Sequence, residues 1–290
     1  MSALVTQVRP LTEEFGTELA VAMAGESLVG ACPGDDESYV MRWPDVRGPY
    51  EPLIVLPGRS SAVGVSPDGR YVAVTGAHRG ALFVTLLDLE AGRKGDLVQG
   101  DDGLKTDRFR PLVHWSPDGR LLGVSGPTGP QGETVTLVFD IVSDEPRRWM
   151  LTGYGTRWHE DRLLLLEPHG VSAWVPGPGT EYLGDAPPRL SPDGRWRVRV
   201  TETGLSVEGA DGLERAVLLD EPHREVMAFL DSARIVVGAD EPRVLDLATL
   251  DQVPLSEPAL PFVAASASGR VVVLEGAQGL MVGEVASHLA

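Results

Sequence analysis

The chain has 290 residues, 42% of them apolar and 6% aromatic, so it can bury a core and does not belong to the disordered, weakly hydrophobic class. A net charge of −17 argues against nucleic acid and against an anionic membrane surface as partners, because both select basic stripes. Cys32 is the one cysteine, which rules out an internal disulfide and fits a reducing compartment.

The first residues, MSALVTQVRPLTEEFG, have neither a basic start nor an apolar h-region, so no signal peptide is expected. No apolar run approaches the ~18 residues of a membrane-spanning helix. These readings point to the cytoplasm. The 23 arginines against two lysines, with no asparagine, fit a high-GC bacterial genome.

In chain order, a strand over residues 3–9 comes first. In the stretch Leu19–Gly30, the turn Gly25-Glu26-Ser27 separates LAVAMA from LVGA. Four later segments echo one another: Ser66-Pro67-Asp68-Gly69-Arg70, Ser116-Pro117-Asp118-Gly119-Arg120, Ser191-Pro192-Asp193-Gly194-Arg195 and the degenerate Ser266-Ala267-Ser268-Gly269-Arg270. Each lies between two short apolar runs. Ser accepts a local hydrogen bond, Pro presets φ, Asp tolerates the bridge region and Gly supplies φ > 0, so each segment is expected to be a tight link between antiparallel strands.

Successive serines of these segments are 50, 75 and 75 residues apart. A gap of 75 holds two units, and a weakened turn does lie midway in each: Trp158-His159-Glu160-Asp161-Arg162 and Phe229-Leu230-Asp231-Ser232-Ala233-Arg234. Within a unit, period-2 alternation and Gly/Pro/Asp punctuation mark four short strands.

Four-stranded units repeating about every 40 residues predict an all-β fold: a single closed β-propeller of seven blades spanning residues 1–290. The expected blades are 15–57, 58–98, 99–152, 153–184, 185–220, 221–256 and 257–290. The last lacks a strand, which the segment 3–9 is expected to supply. The short spacing from His159 to Ser191 leaves the completeness of the fourth blade open.

The S-P-D-G turns resemble those of the WD40-like, TolB-type propeller repeats, over nearly the whole chain. That resemblance implies the fold and leaves the activity open, since such repeats occur in partner-binding scaffolds, peptidase propellers, lyases and lactonases. No G-x-S-x-G occurs. The resemblance also implies a binding face formed by the second-to-third-strand loops and the connections between blades. This face would gather Cys32–Ser38, His78-Arg79, Asp101–Arg110, Gly126–Glu133, Glu167–Gly170, Thr201–Gly204, Glu221–Glu225 and Asp240–Arg243.

Asp35, Asp36, Asp101, Asp102, Asp107 and Arg108 are binding candidates on that rim. The aspartates lack the ordered spacing of a calcium loop, so no metal is expected. His78, His169 and His223 fall on loops of the same face and are the candidates for acid–base chemistry. Aligned first strands put His114, Arg157 and Arg189 at equivalent positions on three consecutive blades. There they form either an anion-binding patch or contacts between blades. Trp43 and Trp149 flank predicted loops and are candidate anchors for a partner.

No cofactor motif is present. The leading expectation is a binding scaffold that presents its loop-rich acidic face to a protein or peptide partner. The alternatives are a small-molecule enzyme (lyase, hydrolase or cyclase) with its pocket at the channel mouth, and a metabolite or sugar sensor.

Overall fold

The computed structural model describes residues 5–11, 19–99, 111–127, 134–143, 147–167, 170–185, 187–201, 203–219, 226–238, 241–266, 270–277 and 279–285. All regular structure among them is strand, and it forms seven four-stranded antiparallel sheets. No helix among the described residues is long and apolar enough to cross a membrane. The chain divides into two compact units, residues 19–44 with 48–186 and residues 1–18 with 45–47 and 187–290.

The strand β1 (Val5–Pro10) belongs to the second of these units and is placed below. The first unit holds four sheets. The first sheet is β2–β5 (Ala20–Ala24, Ser27–Pro33, Glu37–Trp43, Glu51–Pro57) and the second is β6–β9 (Arg59–Val65, Tyr71–His78, Ala81–Asp88, Arg93–Gln99). The third is β10–β13 (Leu112–Trp115, Leu121–Pro127, Thr134–Asp140, Arg148–Thr152) and the fourth is β14–β17 (Tyr154–His159, Arg162–Glu167, Gly170–Val175, Gly179–Gly184). The fourth sheet is therefore complete. Strands run in sequence order across each sheet, and the first strand of each packs against the preceding sheet: β6 on β2 and β3, β10 on β6, β14 on β10, β11 and β12.

This stacking explains a feature of the sequence that alternation alone does not. Second and third strands are covered on both faces, so runs such as Val72-Ala73-Val74 and Leu163-Leu164-Leu165 are buried at every residue. Each such leucine contributes about 2 kcal/mol by leaving water. The outer strand β13 alternates between exposed and half-buried residues instead.

In the second unit, β18–β21 (Arg189–Leu190, Arg197–Thr201, Gly204–Glu208, Glu214–Leu218) and β22–β25 (Val226–Phe229, Arg234–Val237, Arg243–Asp246, Gln252–Pro254) form the fifth and sixth sheets. The seventh consists of β26–β28 (Phe262–Ala265, Val271–Gly276, Gly279–Val285) with β1 paired antiparallel to β28, Val5 opposite Val285. The N-terminal strand thus completes the last blade, as expected. Its Val5 joins a core cluster with Val236, Leu255, Val272 and Leu274.

The repeated turns have one construction. In the second sheet, Ser66 Oγ–H donates to Asp68 Oδ1 (2.5 Å) and accepts from the Tyr71 N–H (2.8 Å), while Gly69 sits at φ +75°. Ser116 does the same with Asp118 and Leu121, and Ser191 with Asp193 and Trp196. The degenerate copy keeps the serine's own part, with Val271 N–H donating to Ser266 Oγ (3.2 Å).

The arginine that ends the motif reaches the aspartate closing the third strand: Arg70 to Asp88 at 2.8 Å and Arg120 to Asp140 at 2.7 Å. Those aspartates also accept backbone N–H groups of the next turn, Ala91 for Asp88 and Ser143 for Asp140. Asp88 is thereby held at a pKa of about 2, with the Arg70 hydrogen bond as the main cause.

A second device links one sheet to the next. Ser38 Oγ–H donates to Gly58 O (2.7 Å) and accepts from Ser60 N–H (2.6 Å), so a third-strand hydroxyl of the first sheet clamps the entry to the second. Thr136 repeats it at the entry to the fourth sheet, donating to Gly153 O (2.9 Å) and accepting from Gly155 N–H (2.8 Å). Both hydroxyls are buried, so each satisfies backbone groups that would otherwise be stranded.

Candidate functional site

Within the first unit, the first-to-second-strand and third-to-fourth-strand turns lie at one end of the sheets. At that end a cleft of about 510 Å³ opens between the third and fourth sheets. Trp149 on β13 and Trp158 on β14 line it, with Pro117, Leu121, Val175 and Pro176 supplying further apolar surface. Trp149 is held edge-on by Trp174, with ring centroids 5.4 Å apart. Its volume is that of a small-ligand or side-chain pocket.

The neighbouring interface shows why this cleft exists. Trp115 holds the same register position on β10, opposite Leu122, as Trp158 holds on β14, opposite Leu163. Against Trp115 the second sheet sets Tyr71, stacked at 6.2 Å and 17°, with the Arg70 guanidinium 4.8 Å above the tyrosine ring. Tyr71 directly follows its S-P-D-G-R motif. The residue following the motif in the third sheet is Leu121. An aliphatic side chain thus stands where the other interface has a stacked ring. The indole Nε1 of both Trp115 and Trp158 is buried with no acceptor among the described residues, so that property belongs to the position and does not set the cleft apart.

Four carboxylates line the cleft, Asp118, Asp140, Glu160 and Asp161, against two guanidiniums, Arg120 and Arg147. Arg120 is taken up by Asp140. The Ser116 hydroxyl holds the Asp118 carboxyl below the usual range, and Arg120 does the same for Asp140, so both stay ionised. Glu160 and Asp161 form the two-residue turn between His159 and Arg162, with Glu160 in the left-handed region at φ +55°. The matching turn of the first sheet, between Ala24 and Ser27, puts Gly25 there at φ +62°. A glutamate therefore occupies a backbone position suited to glycine.

The same interface holds a buried polar network. His114 on β10 is 8% exposed, and its Nε2 lies 3.5 Å from Ser125 Oγ, which is 2.9 Å from Thr136 Oγ1 of the clamp. Burial pushes the His114 imidazole down to about 4, opposed by its hydrogen bond to the Gly155 main chain, so it is neutral at neutral pH. Gly155 leaves room for this network: an added Cβ would sit 2.7 Å from Ser125 Oγ.

The other sequence candidates fall as follows. Arg157, opposite Leu164, holds on β14 the register place that His114, opposite Gly123, holds on β10. Arg189 has the same place within the fifth sheet, opposite Val198. With His114 neutral, charge at these positions comes from the arginines.

Asp35 and Asp36 are exposed on the hairpin between β3 and β4. Gly58 N–H donates to Asp36 O (2.8 Å), and a Cβ on Gly58 would come within 2.8 Å of His78 Cβ, so the Asp36 hairpin and His78 share one neighbourhood at the other end of the sheets. His78 is half-buried before the Arg79-Gly80 turn. Asp101, Asp102, Asp107, Arg108, His169 and His223 lie outside the described residues. Among the described residues no group of three His, Cys, Asp or Glu side chains is placed to hold a metal ion.

Trp43 is not the exposed anchor its flanking loop suggested. It is 1% exposed, because it ends β4 on the covered face, where it packs on Gly30 and Tyr50. Trp149 is half-buried at the cleft. Sequence reasoning passed over the cleft itself. The signal available to it was the contrast between Tyr71 and Leu121 after otherwise identical motifs.

No family model and no curated protein matches the chain. Solved structures do. A chain in the crystal structure of the mitotic checkpoint complex is similar over 99% of this chain and 93% of its own, at 12% identity and a TM-score of 0.65. The β-propeller domain of the Trilobed protease from Pyrococcus furiosus is similar over 94% of each chain, at 14% identity and a TM-score of 0.59. An oligogalacturonate lyase in complex with manganese is similar over 99% of each chain, at 11% identity and a TM-score of 0.62. At such identities the likeness concerns the fold alone, and it identifies the seven sheets as the blades of a β-propeller.

Proposed function

We propose that this propeller is a binding scaffold that docks a protein or peptide partner at the cleft between its third and fourth blades. The observation that carries this reading is the cleft left open by Leu121, walled by Trp149 and Trp158, where the adjacent interface is filled by Tyr71. Aromatic walls on rigid strands supply contact area at little entropic cost, which is how partner-binding hot spots are built. The sequence alone favoured the loop-bearing end, whereas the geometry of the described residues favours the turn end. The similarity to a chain of the mitotic checkpoint complex accords with a role in protein assembly without specifying one.

The test uses the full chain and Leu121→Tyr, which copies the residue of the neighbouring blade and closes the cleft. Both are used for capture from native extract, and any partner found is purified and titrated directly. The expected result is a stoichiometric partner whose affinity falls at least about tenfold in Leu121→Tyr, while the Tm is kept. A partner indifferent to Leu121→Tyr removes the cleft from the interface. No partner at all, together with turnover of a small molecule, overturns the scaffold reading in favour of an enzyme.

A further inference from the structure

We infer that the cleft between the third and fourth blades recognises a cationic side chain, arginine or lysine, of a peptide segment with apolar neighbours. This deepens the scaffold reading and rests on it. Two independent features of the cleft agree. The first is its walls: Trp149 and Trp158 offer indole surface, and Leu121, Val175 and Pro176 offer aliphatic surface that would receive the flanking residues. Tryptophan is the aromatic side chain that attracts a cation most strongly. The adjacent interface already uses the same combination internally, with the Arg70 guanidinium lying over Tyr71, which stacks on Trp115.

The second feature is charge. Of the lining arginines, Arg120 is neutralised by Asp140. Setting that pair aside, Asp118, Glu160 and Asp161 face Arg147, so the cleft keeps a negative balance. No ion pair to Glu160 or Asp161 occurs among the described residues. The chain's net charge of −17 adds a long-range field that draws cations and repels acidic segments.

Glu160 is the residue most open to test. It carries its carboxylate from a left-handed backbone position, φ +55°, that the first blade fills with Gly25. Glycine there would relax the backbone, so the carboxylate can be removed without harming the fold.

The probes are fluorescent hexapeptide pools, random except for a fixed third residue of Arg, Lys, Gln or Glu. Their binding to the full chain is followed by anisotropy at low and high salt. The Arg and Lys pools are expected to bind about tenfold more tightly than the Glu pool at low salt, with the margin narrowing at high salt. Glu160→Gly combined with Asp161→Asn should cut that preference severalfold, while Glu160→Gly alone keeps the Tm or raises it by about 2 °C.

Equal binding of all four pools overturns the inference, as does a preference that survives in the double variant. A natural partner lost in Leu121→Tyr but unaffected by Glu160→Gly with Asp161→Asn would also overturn it, while leaving the scaffold reading intact.

Discussion

The interfaces on either side of the third blade are built from the same parts. Each has an S-P-D-G-R turn on one blade, an arginine paired to the aspartate that closes the third strand, and a tryptophan on the first strand of the next blade. They differ in two places. Between the second and third blades Tyr71 stacks on Trp115, and Gly64 lets Val113 approach closely, since a Cβ on Gly64 would meet Val113 Cγ1 at 2.5 Å. Between the third and fourth, Leu121 leaves a cleft beside Trp158, and the small residue has changed sides, with His114 of the third blade against Gly155 of the fourth. One interface spends its aromatic surface on itself. The other leaves that surface open to the cleft and carries a buried polar network in the same interface.

The comparison breaks most visibly at the tryptophans. Trp115→Ala should cost about 4 kcal/mol in urea denaturation, and Trp158→Ala about 1 kcal/mol less, because Trp158 has no stacked ring to lose. Equal losses would mean that the Tyr71 stack contributes nothing.

Next comes acid. The His114 pKa is depressed in the fold, from 6.5 to about 4, so the unfolded chain takes up the proton first. This contribution is fully present above about pH 6.5 and is lost as pH falls toward 4, to the extent of about 3 kcal/mol. His114→Gln should flatten the stability profile across that window. The loss expected below it, as Asp118 and Asp140 protonate, should persist. A slope unchanged in His114→Gln would assign the acid sensitivity elsewhere.

The smallest effects are at the surface arginines. Arg70→Gln should lower the Tm by roughly a degree, and Arg120→Gln by somewhat more, because its partner Asp140 has a side chain only 2% exposed and is left without its counter-charge; both shifts should be smaller in high salt.

What could be read from the sequence follows the range of the interactions involved. The S-P-D-G turns are local: Ser66, Asp68 and Gly69 make their hydrogen bonds within five residues, so the motif, its spacing and the blade count were legible, and so was the need for an N-terminal strand to finish the last blade. The hydroxyl clamps were not. Ser38 and Thr136 reach backbone groups about twenty residues on, and nothing near them in the chain distinguishes them from other strand hydroxyls. Trp43 misled because Pro44 and Asp45 look like a loop, whereas burial at a strand end is decided by which face the next sheet covers. The cleft was hidden for a further reason: it is set by what Leu121 lacks relative to Tyr71, and a missing ring shows only when the two interfaces are laid side by side.

The pairing of β1 with β28 has a consequence for the chain's birth. Val5 and Val285 are partners across a hydrogen-bonded ladder, although 280 residues of chain separate them. At ribosomal speeds of about 5–20 residues per second, β1 waits on the order of tens of seconds for its mate. During that wait it is a lone strand whose polar edges other chains could capture. A nascent copy stalled before residue 279 would hold every blade but the last in finished form, while β1 stayed unclaimed.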